Sequence, residues 1–174
     1  MQQFFDMVVA CDLNRGIGAA NKLPWHLPGD MKYFRMLTIG NGGSENTVIM
    51  GRNTWESIPP KFRPLPERAN IVLSRSHDYQ LPTGVSLCQT LDDALTIAHN
   101  AASKECFIVG GAKVYTEAIL RTDCRRLYIT QVLAKFDCDV FFPIYMERFQ
   151  LTDQSDRQEE NGIPYRYEVY ERKA

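Results

Sequence analysis

The chain predicts an α/β fold in one domain spanning 1–174: a mostly parallel central sheet of about eight strands, its C-terminal strand antiparallel, flanked by about four helices. Three observations carry this. Short apolar runs rich in Val, Ile and Phe recur along the chain without polar alternation, as strands covered on both faces do. Most lead through a Gly- or Ser-bearing turn into a helical pattern, the alternation that builds parallel sheets. The tail instead alternates polar with apolar around Glu159-Glu160-Asn161-Gly162, which suits a closing antiparallel hairpin.

Phe4-Phe5-Asp6-Met7-Val8-Val9-Ala10-Cys11 forms the first strand, ended by Asp12-Leu13-Asn14-Arg15-Gly16. Residues 12–27 make a long loop containing Gly16-Ile17-Gly18 and Leu23-Pro24-Trp25. In a compact domain a loop of that length is commonly a lid or a binding loop. Pro28 suits the first helical position, where its missing N–H costs nothing, and the helix over 28–39 stops in Gly40-Asn41-Gly42-Gly43-Ser44. Asp30, Met31, Phe34, Leu37 and Thr38 fall on one face of that helix, apolar except for its first member. A carboxylate on the inward stripe should meet something other than water. The same position lies in the first turn, where the helix dipole and capping favour Asp for structural reasons alone.

Thr47-Val48-Ile49-Met50 is a strand, and Gly51-Arg52-Asn53-Thr54-Trp55-Glu56-Ser57-Ile58 turns into a short helix ended by Pro59-Pro60. A proline-punctuated loop runs through Arg68 to the strand Asn70-Ile71-Val72-Leu73, closed by Ser74-Arg75-Ser76. Gly84-Val85-Ser86-Leu87-Cys88 is a weaker strand. Thr90-Leu91-Asp92-Asp93 supplies a cap and an acidic first turn to a helix with Ala94, Leu95 and Ala98 inward. Cys106-Phe107-Ile108-Val109 breaks at Gly110-Gly111 into a helix over 112–120, and 126–133 is a longer strand. The hairpin strands are 149–155 and 165–170.

Composition narrows the function. Apolar residues make up 44% and charged residues 24% of the chain, and a net charge of -1 supplies no global basic field for nucleic acid or membrane. The five cysteines are scattered without a C-x-x-C pair and the three histidines are isolated. That pattern fits reduced thiols in the cytoplasm and no metal site. The apolar start is too short for a membrane span and holds an acid, so no signal peptide is read.

In parallel sheets, ligands bind beyond the carboxyl ends of the strands. Following each apolar run in turn finds the Gly/Trp loop with Asp30, then Gly51-Arg52-Asn53-Thr54 at a helix start, Ser74-Arg75-Ser76, Gly110-Gly111-Ala112-Lys113 at another helix start, and Thr130. Free N–H groups, hydroxyls and guanidinium groups of this kind hold anions. Each turn alone is also explained as a cap, a solvated loop or a tight turn. Three on one sheet edge describe a ligand with several phosphates, such as a dinucleotide. The G-x-G-x-x-G spacing is missing, as is the usual ribose-binding acid. Basic Arg52, Arg75 and Lys113 point to a phosphorylated ribose, hence NADPH.

These residues carry a resemblance. Trp25 between its prolines with Asp30, the segments 48–58, 63–68, 71–75 and 108–115, and Asp139-Val140-Phe141-Phe142-Pro143 closely resemble dihydrofolate reductases in order and spacing, across essentially the whole chain. The resemblance implies NADPH-dependent reduction of 7,8-dihydrofolate to tetrahydrofolate, in support of one-carbon metabolism, by a cytoplasmic monomer open to antifolate inhibitors. It implies that Asp30 pairs with N3 and the 2-amino group of the pterin and supports protonation of N5, that Thr130 bonds that carboxylate, and that Trp25 holds a water near it. Phe34, Ile58 and Leu65 would sandwich the pterin and aminobenzoyl rings, with Met31 also on the substrate side, and Arg68 would bind the α-carboxylate of the glutamate tail. Val8, Val9, Ile108 and Tyr115 would line the pterin–nicotinamide contact, with Ala10 on the cofactor side. Gly51, Arg52, Asn53, Thr54, Leu73, Ser74, Arg75, Gly110, Gly111, Ala112, Lys113 and Val114 fall at nucleotide-binding positions. Ile17 and Leu23 bound a segment matching the mobile loop that closes over the nicotinamide. Pro59-Pro60-Lys61-Phe62 lengthens the loop before Arg63 as in the eukaryotic branch, whereas Leu23 and Asp30 lean bacterial.

Two other readings compete. One is a related pyrimidine or pteridine reductase of similar fold, such as the reductase domain of riboflavin synthesis; a ribityl substrate needs neither a pterin-directed acid nor a carboxylate clamp, so Asp30 and Arg68 count against it. A non-catalytic nucleotide-binding or nucleic-acid-binding module would show basic strips interleaved with aromatics, which the chain lacks.

Overall fold

The computed structural model describes residues 3–41, 46–101 and 103–174. Met1, and Gly42, Gly43 and Ser44 of the break after the first helix, lie outside these. The elements run β1 (Phe5–Cys11), β2 (Gly16–Gly18), α1 (Pro28–Ile39), β3 (Thr47–Gly51), α2 (Arg52–Ser57), β4 (Ala69–Leu73), β5 (Val85–Cys88), α3 (Leu91–Asn100), β6 (Cys106–Ile108), α4 (Ala112–Ala118), β7 (Cys124–Val132), β8 (Val140–Phe141), β9 (Phe149–Gln154), β10 (Gln158–Glu160) and β11 (Ile163–Arg172). A 3₁₀ turn, Pro60–Phe62, follows the Pro59-Pro60 break.

The main sheet has the order β10-β11-β7-β1-β6-β3-β4-β5, with β9 also on β11. Its β7-to-β5 portion is parallel and β11 runs antiparallel to β7. Nine strands replace the expected eight because β11 is long enough for two partners end to end. β10 pairs with its first residues through the two-residue Asn161-Gly162 turn, and β9 pairs with its last. Both turn residues have positive φ, 51° and 74°, the primed-turn geometry that matches strand twist. The hairpin therefore joins β10 to β11, not residues 149–155 directly. A second, two-stranded sheet of β2 and β8 inside the long loops is also new.

Strand alternation divides the core. Met7, Val9, Ile49, Ile71 and Ile108 face Leu91, Ala94, Leu95 and Ala118 of α3 and α4. Val8, Val48, Met50, Val72 and Phe107 face Trp55 of α2 and the half-buried Phe34 and Leu37 of α1. Asp6, within the first apolar run, is buried but paired: Arg125 donates Nη2 to Oδ2 at 2.7 Å and Nε to Oδ1 at 3.1 Å. That two-pronged bond is the condition under which a sheet interior tolerates a carboxylate. The five cysteines are free, four of them buried, and burial pushes the Cys11, Cys106 and Cys124 thiols up to about 12. Among the described residues no helix is long and apolar enough to cross a membrane, and no group of His, Cys, Asp and Glu is placed to hold a metal.

The parallel strands end along one edge. Asp12, Gly51, Ser74, Val109 and the Gly110-Gly111 pair emerge there, with Thr130 in register beside Ala10.

Candidate active site

α1 brings Asp30 to that edge. Pro28 opens the helix and Asn46 closes it, donating Nδ2 to the Thr38 and Ile39 carbonyls at 3.0 and 3.1 Å. Within the first turn, Asp30 Oδ1 accepts from the Thr130 hydroxyl at 2.6 Å, across 100 residues of sequence. Burial pushes the Asp30 pKa up; the Thr130 bond opposes that by favouring the charged form, and the nearby Glu160 charge raises it further. A half-buried acid on an apolar stripe, held by one hydroxyl and inclined to keep its proton, can orient a polar ring and take part in proton delivery. The capping explanation fails here, because α1 has no side-chain cap and its N-cap residue is Leu27.

Trp25 and Leu27 are anchored in a small cluster with Val132, Tyr165 and Ala10. Trp25 is 6% exposed, meets the Phe136 ring edge-on at 5.4 Å, and its buried Nε1 has no partner among the described residues. An indole N–H of this kind is a donor waiting for a water or a ligand atom.

Phe34, Ile58, Leu65 and Val109 are half-buried against Val8 and Met50, giving an apolar wall beside Asp30. Arg63 fixes one part of it, donating Nη1 to the Trp55 and Ile58 carbonyls at 2.8 and 3.2 Å and so closing α2. Asn70 fixes the next, exchanging bonds with both the Leu65 N–H and carbonyl at 2.9 Å. Arg68 follows, buried, with Nη1 on Thr38 Oγ1 at 2.9 Å and Nε on the Pro66 carbonyl at 2.8 Å. Among the described residues it has no carboxylate partner. Burial, with Arg35 close by, pushes its pKa down to about 10. A desolvated guanidinium without a counter-ion is suited to an incoming anion.

The phosphate-type turns come together. Gly51 N–H donates to the Gly110 carbonyl at 2.8 Å. A Cβ on Gly110 would lie 3.0 Å from Thr54 Oγ1 and its φ is +138°, so this close crossing of β3 and β6 ends needs glycine. No side chain caps the first turn of α2 or α4. Arg75 and Lys113 are exposed and have no partner among the described residues, whereas Arg52 is held by Glu56 at 2.9 Å and lies over the Tyr79 ring. Ser74 is buried, its Oγ accepting from the Ser76 N–H at 3.2 Å. Leu73, Ala112 and Val114 are half-buried nearby and Asn53 is exposed. Backbone donors, a hydroxyl and unspent cations on one edge fit a phosphorylated nucleotide.

Several expected positions are placed differently. Ile108 has no exposed surface and packs toward α3 and α4; strand alternation turns Val109 to the opposite face, with Phe34, Ile58 and Leu65. Val9 also faces that side, with Ile17 packed against the same cluster. Tyr115 is 3% exposed, and its hydroxyl donates to the Val8 carbonyl at 2.6 Å, so it supports β1 from behind. Met31 and Leu23 are 61% and 58% exposed, so Met31 leaves the apolar stripe and turns to solvent. Residues missed in the sequence include Val109, which counting in twos from Phe107 would have found, and Asp12. The Asp12 carboxylate accepts from the Gly16 and Phe136 N–H groups at 2.7 and 2.9 Å, tying the base of the long loop.

Comparison with known proteins gives matches over nearly the whole chain. The family model described as "Dihydrofolate reductase" matches residues 4–172. The chain is 42% identical to the dihydrofolate reductase of Drosophila melanogaster, covering 97% of each. It is 43% identical to that of Sus scrofa, covering 95% of this chain and 96% of the other. The solved Schistosoma mansoni dihydrofolate reductase superposes with a TM-score of 0.87 at 34% identity, over 99% of this chain and 100% of that one.

Proposed function

The chain belongs to the dihydrofolate reductase family, and from that premise we propose that it reduces 7,8-dihydrofolate to tetrahydrofolate at the Asp30 edge of the sheet, with NADPH as the reductant. The bond between Asp30 and Thr130, on an acid whose surroundings favour its protonated form, is the observation that carries the assignment. Asp30 is the acid beside the apolar wall that, once ionised, can accept from the ring N–H and amino group of a pterin while Thr130 donates to its Oδ1. It thereby fixes the ring and favours a proton at N5. Phe34, Ile58, Leu65 and Val109 exclude water around the reacting ring, and Arg68 takes the glutamate carboxylate. When bound, the dinucleotide supplies hydride to pterin C6. Gly51, Thr54, Gly110 and Gly111 would hold its pyrophosphate, and Ser74 and Arg75, with Lys113, its ribose phosphate. The reading includes a cytoplasmic monomer, for which five free cysteines give support, and inhibitors that imitate the pterin would compete for Asp30.

Thr130→Val keeps the shape and removes the hydroxyl. A hydrogen bond to a charged group contributes about 1.5–3 kcal/mol, so the pKa governing the pH profile of kcat/KM is expected to rise by about one to two units. A profile that does not move means Thr130 leaves Asp30 unaffected. Arg75→Ala tests the cofactor: NADPH affinity, read by fluorescence titration, is expected to fall tenfold to a hundredfold with NADH spared, on the order of one charge-assisted contact. Equal losses for both nucleotides count against a 2′-phosphate at Arg75.

A further inference from the structure

Glu160 stands at the end of β10, and the assignments above give it no role. Its Oε1 accepts from the Gly29 N–H at 2.7 Å and from the Tyr165 hydroxyl at 3.1 Å. Gly29 is the second residue of α1 and the neighbour of Asp30. Since Pro28 has no N–H and Leu27 no capping atom, the first free donor of this helix is answered by a carboxylate from 131 residues away. A Cβ at Gly29 would lie 2.7 Å from that carboxylate oxygen, so the approach requires glycine there. The same hairpin holds the junction at three more points. Asn161 Nδ2 donates to the His26 carbonyl at 2.9 Å, the Tyr167 hydroxyl to the Gly29 carbonyl at 3.4 Å, and the Tyr167 ring stacks on Tyr33 at 3.8 Å.

Two carboxylates are thus gathered on one helical turn and given different tasks. Glu160 takes the Gly29 N–H, and Asp30 takes the Thr130 hydroxyl. The groups facing Asp30 are Thr130 from β7, Tyr33 from α1, Tyr165 and Tyr167 from β11, and Glu160. Burial raises the three phenols above their ordinary value, and Glu160 is the one carboxylate in this group besides Asp30 itself.

We propose that Glu160 is a positioning residue for the reduction: it answers the first free N–H of α1 and holds the start of that helix so that Asp30 meets Thr130. The Glu160 carboxylate beside Asp30 acts on it in the same direction as burial. This rests on the reading of Asp30 as the substrate-facing acid. The test is the carboxyl ¹³C titration of Asp30 in the ligand-free protein, compared with Glu160→Gln. The Gln keeps an oxygen for Gly29 and Tyr165 and removes the charge. The Asp30 midpoint is expected to fall by about half a unit, and the pH profile of dihydrofolate kcat/KM to move with it, so that turnover at pH 8 drops about threefold. A midpoint that stays in place overturns the proposal, whatever happens to turnover or melting temperature. Because the titration uses no substrate, its failure is distinct from failure of the dihydrofolate assignment, which the turnover assay reads. If Glu160→Gln does not fold, Gly29→Ala displaces the same carboxylate from α1. It is expected to move the midpoint in the same direction, and an unmoved midpoint there overturns the proposal equally.

Discussion

Asp30→Asn is expected to lower dihydrofolate reduction at pH 7 by roughly a hundredfold or more, the scale of lost acid–base catalysis, without loss of folding. Asparagine preserves the shape and can still accept from the Thr130 hydroxyl, but it cannot ionise. It therefore holds the pterin less firmly and no longer favours a proton at N5. Activity should recover in part as pH falls and the substrate arrives protonated. Stability should move the other way. The folded-state pKa of Asp30 is raised, so its favourable contribution is complete below the ordinary carboxylate pKa and lost as pH rises through the raised value. Above that, the ionised group burdens the fold. The variant's melting temperature, relative to the parent, should therefore be higher at pH 8 than at pH 4. A destabilised variant with normal turnover at pH 7 would mean that Asp30 is structural.

Arg68→Leu is expected to raise KM for dihydrofolate by a hundredfold or more, with kcat changed less. Two charge-assisted hydrogen bonds to a carboxylate are worth about 1.5–3 kcal/mol each, and they act far from the reacting atoms. A pterin without the glutamate tail should be nearly unaffected. The free protein should not be destabilised either, since Arg68 is buried without a carboxylate and its desolvation already pushes its pKa down to about 10. Equal damage with the tail-less pterin would show that Arg68 serves the loop through its bonds to Thr38 and Pro66.

Asp30 stood out in the sequence because a strong local pattern makes it an exception, whereas Arg68 was marked only by the family resemblance. Asp30 interrupts an apolar helical stripe, and Thr130 and the Gly- and Ser-bearing turns follow apolar strands whose parallel order puts their ends on one edge. The parallel sheet was legible for the same reason: buried strands are apolar throughout. What the sequence did not show lacks a hydrophobic signature. β2, β8 and β10 are short, and β8 is exposed, so their pairing depends on distant backbone. Ile108 and Val109 are equally apolar, and only the register of β6 decides which faces the site. Met31 fits the helical period yet lies beyond the reach of the sheet. Glu160 reads as one polar residue of a turn, and nothing local marks its bond to Gly29.

The most direct test of the central claim is product stoichiometry. The wild-type protein, mixed with NADPH and 7,8-dihydrofolate at pH 7, should form one tetrahydrofolate for each NADPH oxidised, and Asp30→Asn should do so at least about a hundredfold more slowly. NADPH oxidation without tetrahydrofolate, or equal rates for the two proteins, would contradict the account.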